Sequence, residues 1–150
     1  MAYDPTAPDA YELSKVYTTI WISAAASIPT FINAFVGWDN IVMAILFGAS
    51  VGGLIVAFFA NRADEYFQTM LNTGMRWVML VLALGLFAAF LLNIFDVSYS
   101  VGFTFASSEE ARSEGSPFRY FHDANVLGTG LMVVFYAGYA FAWAKDRWGN

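Results

Sequence analysis

Residues 40–61 read NIVMAILFGASVGGLIVAFFAN, twenty-two residues between Asp39 and Arg62 with no Asp, Glu, Lys, Arg or His among them. A helix rises about 1.5 Å per residue, so roughly 20 apolar residues cross a hydrocarbon core of roughly 30 Å. Backbone amides in lipid must find partners within their own segment, which makes such a run a helix. The same reading applies three more times. Lys15 and Asp39 bound 23 charge-free residues (16–38), Arg76 and Asp96 bound 19 (77–95), and Asp123 and Lys145 bound 21 (124–144). The chain reads as an all-α integral membrane protein, a four-transmembrane-helix bundle forming one membrane domain over 1–150. Its spans are expected at about 16–38, 40–61, 75–95 and 120–144, with a partly ordered outer loop at 96–119.

Composition points the same way. Apolar residues make up 59 % of the 150 and charged residues 13 %, with a mean hydropathy of +0.55. Ordinary globular chains carry roughly 45–50 % apolar residues, Gly included, and about 25 % charged ones. A soluble fold of this length has too little interior for fifteen Phe, eight Tyr and five Trp. A net charge of −5 with seven Lys and Arg excludes nucleic acid as a partner, and the lack of Cys excludes disulfides, thiolate metal sites and thiol nucleophiles.

The first run differs from a signal peptide. Asp4, Asp9 and Glu12 precede it against a single Lys15, its apolar stretch is too long, and no clear cleavage site follows. Asp9 and Glu12 are spaced as an N-cap and its capping-box partner, and Pro29 should kink the helix. Lys15, Arg62, Arg76, Lys145 and Arg147 flank the spans on one side, against Arg112 and Arg119 on the other. The positive-inside rule then places both termini in the cytoplasm and the chain in the cell (inner) membrane. Trp21, Trp38, Trp77, Trp143 and Trp148 mostly fall near span ends, as interfacial anchors do.

The spans should be joined unevenly. Gly37, Trp38, Asp39 and Asn40 make a tight hairpin between the first two. In residues 61–74 the apolar Tyr66, Phe67, Met70 and Leu71 share one helical face, which suits either a short interfacial helix or an extension of a neighbouring span. The third connection is long, and its residues 97–105 alternate: Val97, Tyr99, Val101, Phe103 and Phe105 are separated by small or polar residues. Period two is a strand signal, and a lone strand needs a partner; an extended segment lying on the membrane surface is the alternative. Residues 107–112 read as a short N-capped helix, and Ser116-Pro117 as an early start for the fourth span. A faint repeat, Asn33-Ala34-Phe35 with Asn93-Ile94-Phe95 and Ala57-Phe58 with Ala140-Phe141, suggests two helical hairpins in the same orientation.

Three features bear on function. Small residues recur every four positions in the second span, as Ala44, Gly48 and Gly52 beside Ala49, Gly53 and Ala57, with Gly128, Gly130 and Gly138 in the fourth. Such rows let helices approach closely in lipid, within the bundle or against a partner. None of the four runs holds an ionisable residue, which argues against coupled ion transport. The single histidine, His122, stands beside Asp123, with Asp96 leaving the third span at a similar depth. That group suits contact with a quinone or pigment, or plain ordering of the loop. Gly128-Thr129-Gly130 lacks the basic residue of a phosphate site, and no motif is specific enough to carry a resemblance to a named family.

The sequence thus favours a non-catalytic subunit that contacts the lipid bilayer and packs against other membrane proteins, with no resident cofactor or metal. A homo-oligomeric pore built from copies of the chain is the alternative. A redox subunit using His122 is a third reading.

Overall fold

In the computed structural model, which describes residues 10–60, 63–106 and 123–149, the chain forms four helices: α1 (Ala10–Val36), α2 (Ile41–Phe59), α3 (Glu65–Ala106) and α4 (Ala124–Trp148). Each contains a stretch long and apolar enough to cross a membrane, namely Glu12–Val36, Ile41–Phe59, Glu65–Leu91 and Ala124–Trp148. The outer surface matches that reading, because Ile41, Phe58 and Phe59 are over 70 % exposed where a water-soluble fold would hide them.

The α1–α2 hairpin follows from its turn residues. Gly37 takes a positive φ of 71°, and its N–H closes α1 on the Asn33 carbonyl at 2.8 Å. The Asn33 side chain then accepts from the Trp38 N–H at 2.8 Å and donates to the Trp38 carbonyl at 3.2 Å. Asn40 caps α2 by accepting from the Met43 N–H at 3.0 Å. At the other end Asp64 caps α3, accepting from the Phe67 N–H at 3.1 Å, and Gln68 donates to the Ala60 carbonyl at 2.7 Å. Asp123 caps α4 through the Asn125 N–H at 2.9 Å.

Helix α1 packs against α2 and α4, and α4 packs against α3. The core lies where these pairs meet, around Ile20, Ala57, Phe67, Met70, Phe135, Tyr136 and Tyr139. Two glycine contacts set how close the helices come. A Cβ on Gly53 of α2 would collide with the side chains of Ser23 and Tyr136. One on Gly74 of α3 would stand 2.7 Å from the Phe135 carbonyl oxygen, and one on Gly138 of α4 would stand 2.9 Å from the Gly74 Cα.

Residues 65–76 take the second of the two forms expected, an extension of a neighbouring span: α3 starts at Glu65 and enters the 77–95 run without a break. Other expectations change. The segment holding Val97, Tyr99, Val101, Phe103 and Phe105 is helix, not strand, since α3 continues to Ala106. Adding residues to an existing helix gains one hydrogen bond each with no new nucleation, whereas a lone strand leaves its backbone unpaired. Helix α4 begins at Ala124 rather than near 120; Pro29 lies within α1, as the sequence placed it. The proposed Asp9 cap, the helix at 107–112, Ser116-Pro117 and His122 lie outside the described residues.

Candidate functional site

Contacts between helices fix a common level. Gly53 of α2 faces Ser23 of α1 and Tyr136 of α4, and Gly74 of α3 faces Phe135 of α4. The midpoints of the charge-free runs in α1, α2 and α4 all fall two to four residues beyond this level, towards the Asn40 end. The same step along α3 arrives at Arg76, Trp77 and Val78. The midpoint of α3's own run is near residue 86, so α3 is displaced along its axis by about nine residues, or roughly 14 Å at 1.5 Å per residue. Trp77 therefore stands at mid-level, against Gly138 and 5.3 Å from the Phe141 ring, rather than at a span end.

The displacement places a polar stripe along the bundle. Phe67, Met70, Leu71 and Gly74 turn inward to the core, while Glu65, Thr69, Asn72 and Arg76 lie exposed on another face of α3. Their spacing of four, three and four residues keeps them in one row. Arg76 makes no ion pair or hydrogen bond to a described residue. Beside the row, α2 and α3 diverge and leave a cleft of about 460 Å³ lined by Leu54 and Phe58 of α2, Gln68, Asn72 and Met75 of α3, and Leu131 of α4. Its walls are apolar except for the two amides.

The interior polar groups, by contrast, are nearly all satisfied locally. Ser23, Ser27, Thr30, Ser50 and Thr129 are buried, and each hydroxyl donates to a carbonyl three or four residues back. Tyr136 donates across to the Ser50 carbonyl at 2.7 Å and so ties α4 to α2. Towards the Asp64 end, Tyr17 donates to Asp64 at 2.8 Å, and the rings of Tyr17, Phe67, Tyr139, Trp21 and Trp143 meet edge to face at 5.2–6.0 Å. The Tyr139 hydroxyl is the one buried side-chain polar atom without a partner among the described residues.

The residues singled out from sequence divide. Gly53 and Gly138 pack tightly, a Cβ on Gly130 would stand 3.3 Å from the Phe31 ring, and Ala49 is half-buried. Gly48, Gly52 and Gly128 have open space where a side chain would be, and Ala44 is exposed. Only the inner row of α2 is therefore used within the chain. Asp123 serves as a helix cap, and Asp96 lies inside α3 rather than at its exit. Antiparallel α3 passes Asp123 about eight residues before Asp96, roughly 12 Å along the axis, so the two do not meet at one depth. No group of three potential metal ligands occurs among the described residues. No protein-family model, curated protein or solved structure matches the chain.

Sequence reading missed Gly74 and the position of Arg76. Both had a legible signal, because Phe67, Met70, Leu71, Gly74 and Val78 continue one inward face past Arg76. Arg76 bounds a charge-free run without bounding the helix.

Proposed function

We propose that this chain is a non-catalytic, multi-pass subunit of the cell (inner) membrane, with both termini cytoplasmic, that packs against partner membrane proteins through the open face of α3. The observation that carries this reading is Arg76, exposed at the level where the apolar runs of α1, α2 and α4 have their midpoints. A charge at the centre of a bilayer costs on the order of 2.5–3.5 kcal/mol even by the mildest scales. An arrangement that leaves it facing lipid is costly, and a protein partner on that face removes the cost.

Purification in mild detergent followed by mass spectrometry tests the proposal. A second membrane polypeptide should accompany the chain in fixed stoichiometry, and its yield should fall for Arg76→Gln. Recovery of a lone monomer from every mild detergent contradicts the proposal.

One observation favours a second reading, the homo-oligomeric pore. The row Glu65, Thr69, Asn72 and Arg76 would line a water-filled path if several copies turned α3 inward, and the open Gly48 and Gly52 would suit contacts between copies. Ion flux through liposomes containing the pure protein, lost on Arg76→Leu, would establish this reading over the first.

A further inference from the structure

Building on the subunit reading above, we infer that the partner is a different polypeptide, contributing a transmembrane helix with an Asp or Glu near its midpoint that lies along α3 and pairs with Arg76. Arg76 stands near the centre of the runs, with roughly 15 Å of helix to either end at 1.5 Å per residue. A side chain that snorkels spans only part of that distance, so a lipid headgroup phosphate is out of reach. The neutralising anion must come from within the membrane, and a carboxylate on a neighbouring helix is the group available there. Guanidinium and carboxylate pair bidentately, and each alone would carry the full cost of an unpaired charge in lipid.

A second copy does not meet the requirement. Copies inserted in the same direction place Arg76 beside Arg76. The carboxylate residues among the described ones, Glu12, Asp39, Asp64, Glu65, Asp96, Asp123 and Asp146, all lie at or beyond the ends of the charge-free runs. The nearest on the same stripe, Glu65, is eleven residues away, or roughly 16 Å. Self-association through this face therefore stacks like charges without a counter-ion. The space beside the stripe suits one added helix: α2 and α3 diverge, the cleft of about 460 Å³ accepts apolar side chains, and Asn72 at its edge, one turn from Arg76, offers an amide to the same carboxylate.

A model helix tests this without knowledge of the natural partner. The probe is a polyleucine peptide of about 21 residues, long enough to span, flanked by Lys and carrying one central Glu. Fluorescence energy transfer from the labelled full chain is measured in phosphatidylcholine vesicles. The controls carry Leu or Gln at the centre, or Glu near one end. The central-Glu peptide should associate about tenfold more tightly than the Leu control, equivalent to about 1.4 kcal/mol. The preference should persist in Arg76→Lys, vanish in Arg76→Gln, and weaken when Glu moves to the peptide's end. Equal binding of Leu and central-Glu peptides overturns the inference, as does a preference that survives Arg76→Gln. Energy transfer between two labelled copies of the chain, abolished by Arg76→Gln, also overturns it and assigns the face to self-association. Should Arg76→Gln fail to fold by circular dichroism, the comparison of central with terminal Glu on the unaltered chain decides. A native partner recovered without any peptide preference refutes this inference alone. Peptide preference with no native partner refutes only the subunit reading.

Discussion

Replacing Gly74 by Ala adds one methyl group where α3 and α4 are closest. The new Cβ would stand 2.7 Å from the Phe135 carbonyl oxygen and 3.1 Å from two Phe135 ring carbons, and 3.4 Å is where ordinary contact begins. The oxygen belongs to backbone, so no side-chain rotation relieves the overlap. The helices must separate by about 0.7 Å, and a gap of that size forfeits roughly a quarter to a half of each dispersion contact across the interface. Overpacking of this kind costs about 1–3 kcal/mol. The gain in helix propensity from Gly to Ala, about 0.5–1 kcal/mol, acts in the opposite direction. Gly48→Ala isolates the packing part, because it carries the same propensity gain and meets nothing within 4 Å. Unfolding by SDS titration in mixed micelles, followed by far-ultraviolet circular dichroism, should place Gly74→Ala about 1–3 kcal/mol below Gly48→Ala. Equal stabilities for the two variants would refute the close α3–α4 crossing and, with it, the register that sets the level of Arg76.

Other consequences are measurable in the same assay. Tyr136→Phe removes the hydroxyl that reaches the Ser50 carbonyl and should destabilise by about 0.6–1.5 kcal/mol; no change would mean that α2 and α4 are not tied there. Asp64→Ala removes both the cap of α3 and the acceptor of the Tyr17 hydroxyl, for a loss of about 1–2 kcal/mol, while Asp64→Asn should retain most of the capping. If Asn proves as harmful as Ala, charge rather than hydrogen bonding is what Asp64 supplies. Gly48→Leu and Gly52→Leu should leave the stability of the isolated chain within about 0.5 kcal/mol of the parent, as substitutions at open sites do. A large loss from either would show that the outward row of α2 is covered by another helix of the same chain.

Much of the fold was legible because a charge in hydrocarbon is so costly. Asp39 and Arg62 delimit α2 and the end of α1 to within a few residues, although α1 begins at Ala10, before Lys15, and Gly37 with Asn40 marks the turn between the two helices. The rule misleads at Arg76, which bounds a charge-free run although the inward apolar face continues from Phe67 through Gly74 to Val78. Charge-free length reports where lipid is tolerated, not where a helix packs, and only the facing glycines set the register of α3 on α4. The alternation at 97–105 misled for a related reason. Nine residues of period two cannot outweigh a long helix already propagating into them, a cooperative effect that local pattern does not contain. Of the small-residue rows, sequence showed that α2 has two faces able to approach another helix. The side chains opposite, Ser23 and Tyr136, decide that Gly53 is on the one used within the chain.

The depth of α3 in a bilayer tests the account most directly. Nitroxide labels at Met75→Cys and Ala137→Cys, both exposed positions on neighbouring helices, can be compared by power saturation with oxygen and a water-soluble nickel complex. The register of α3 on α4 predicts that both labels lie near the bilayer centre, within a few Å of each other. A Met75 label at the water interface while the Ala137 label is at mid-bilayer would contradict it, and would return Arg76 to the edge of a span.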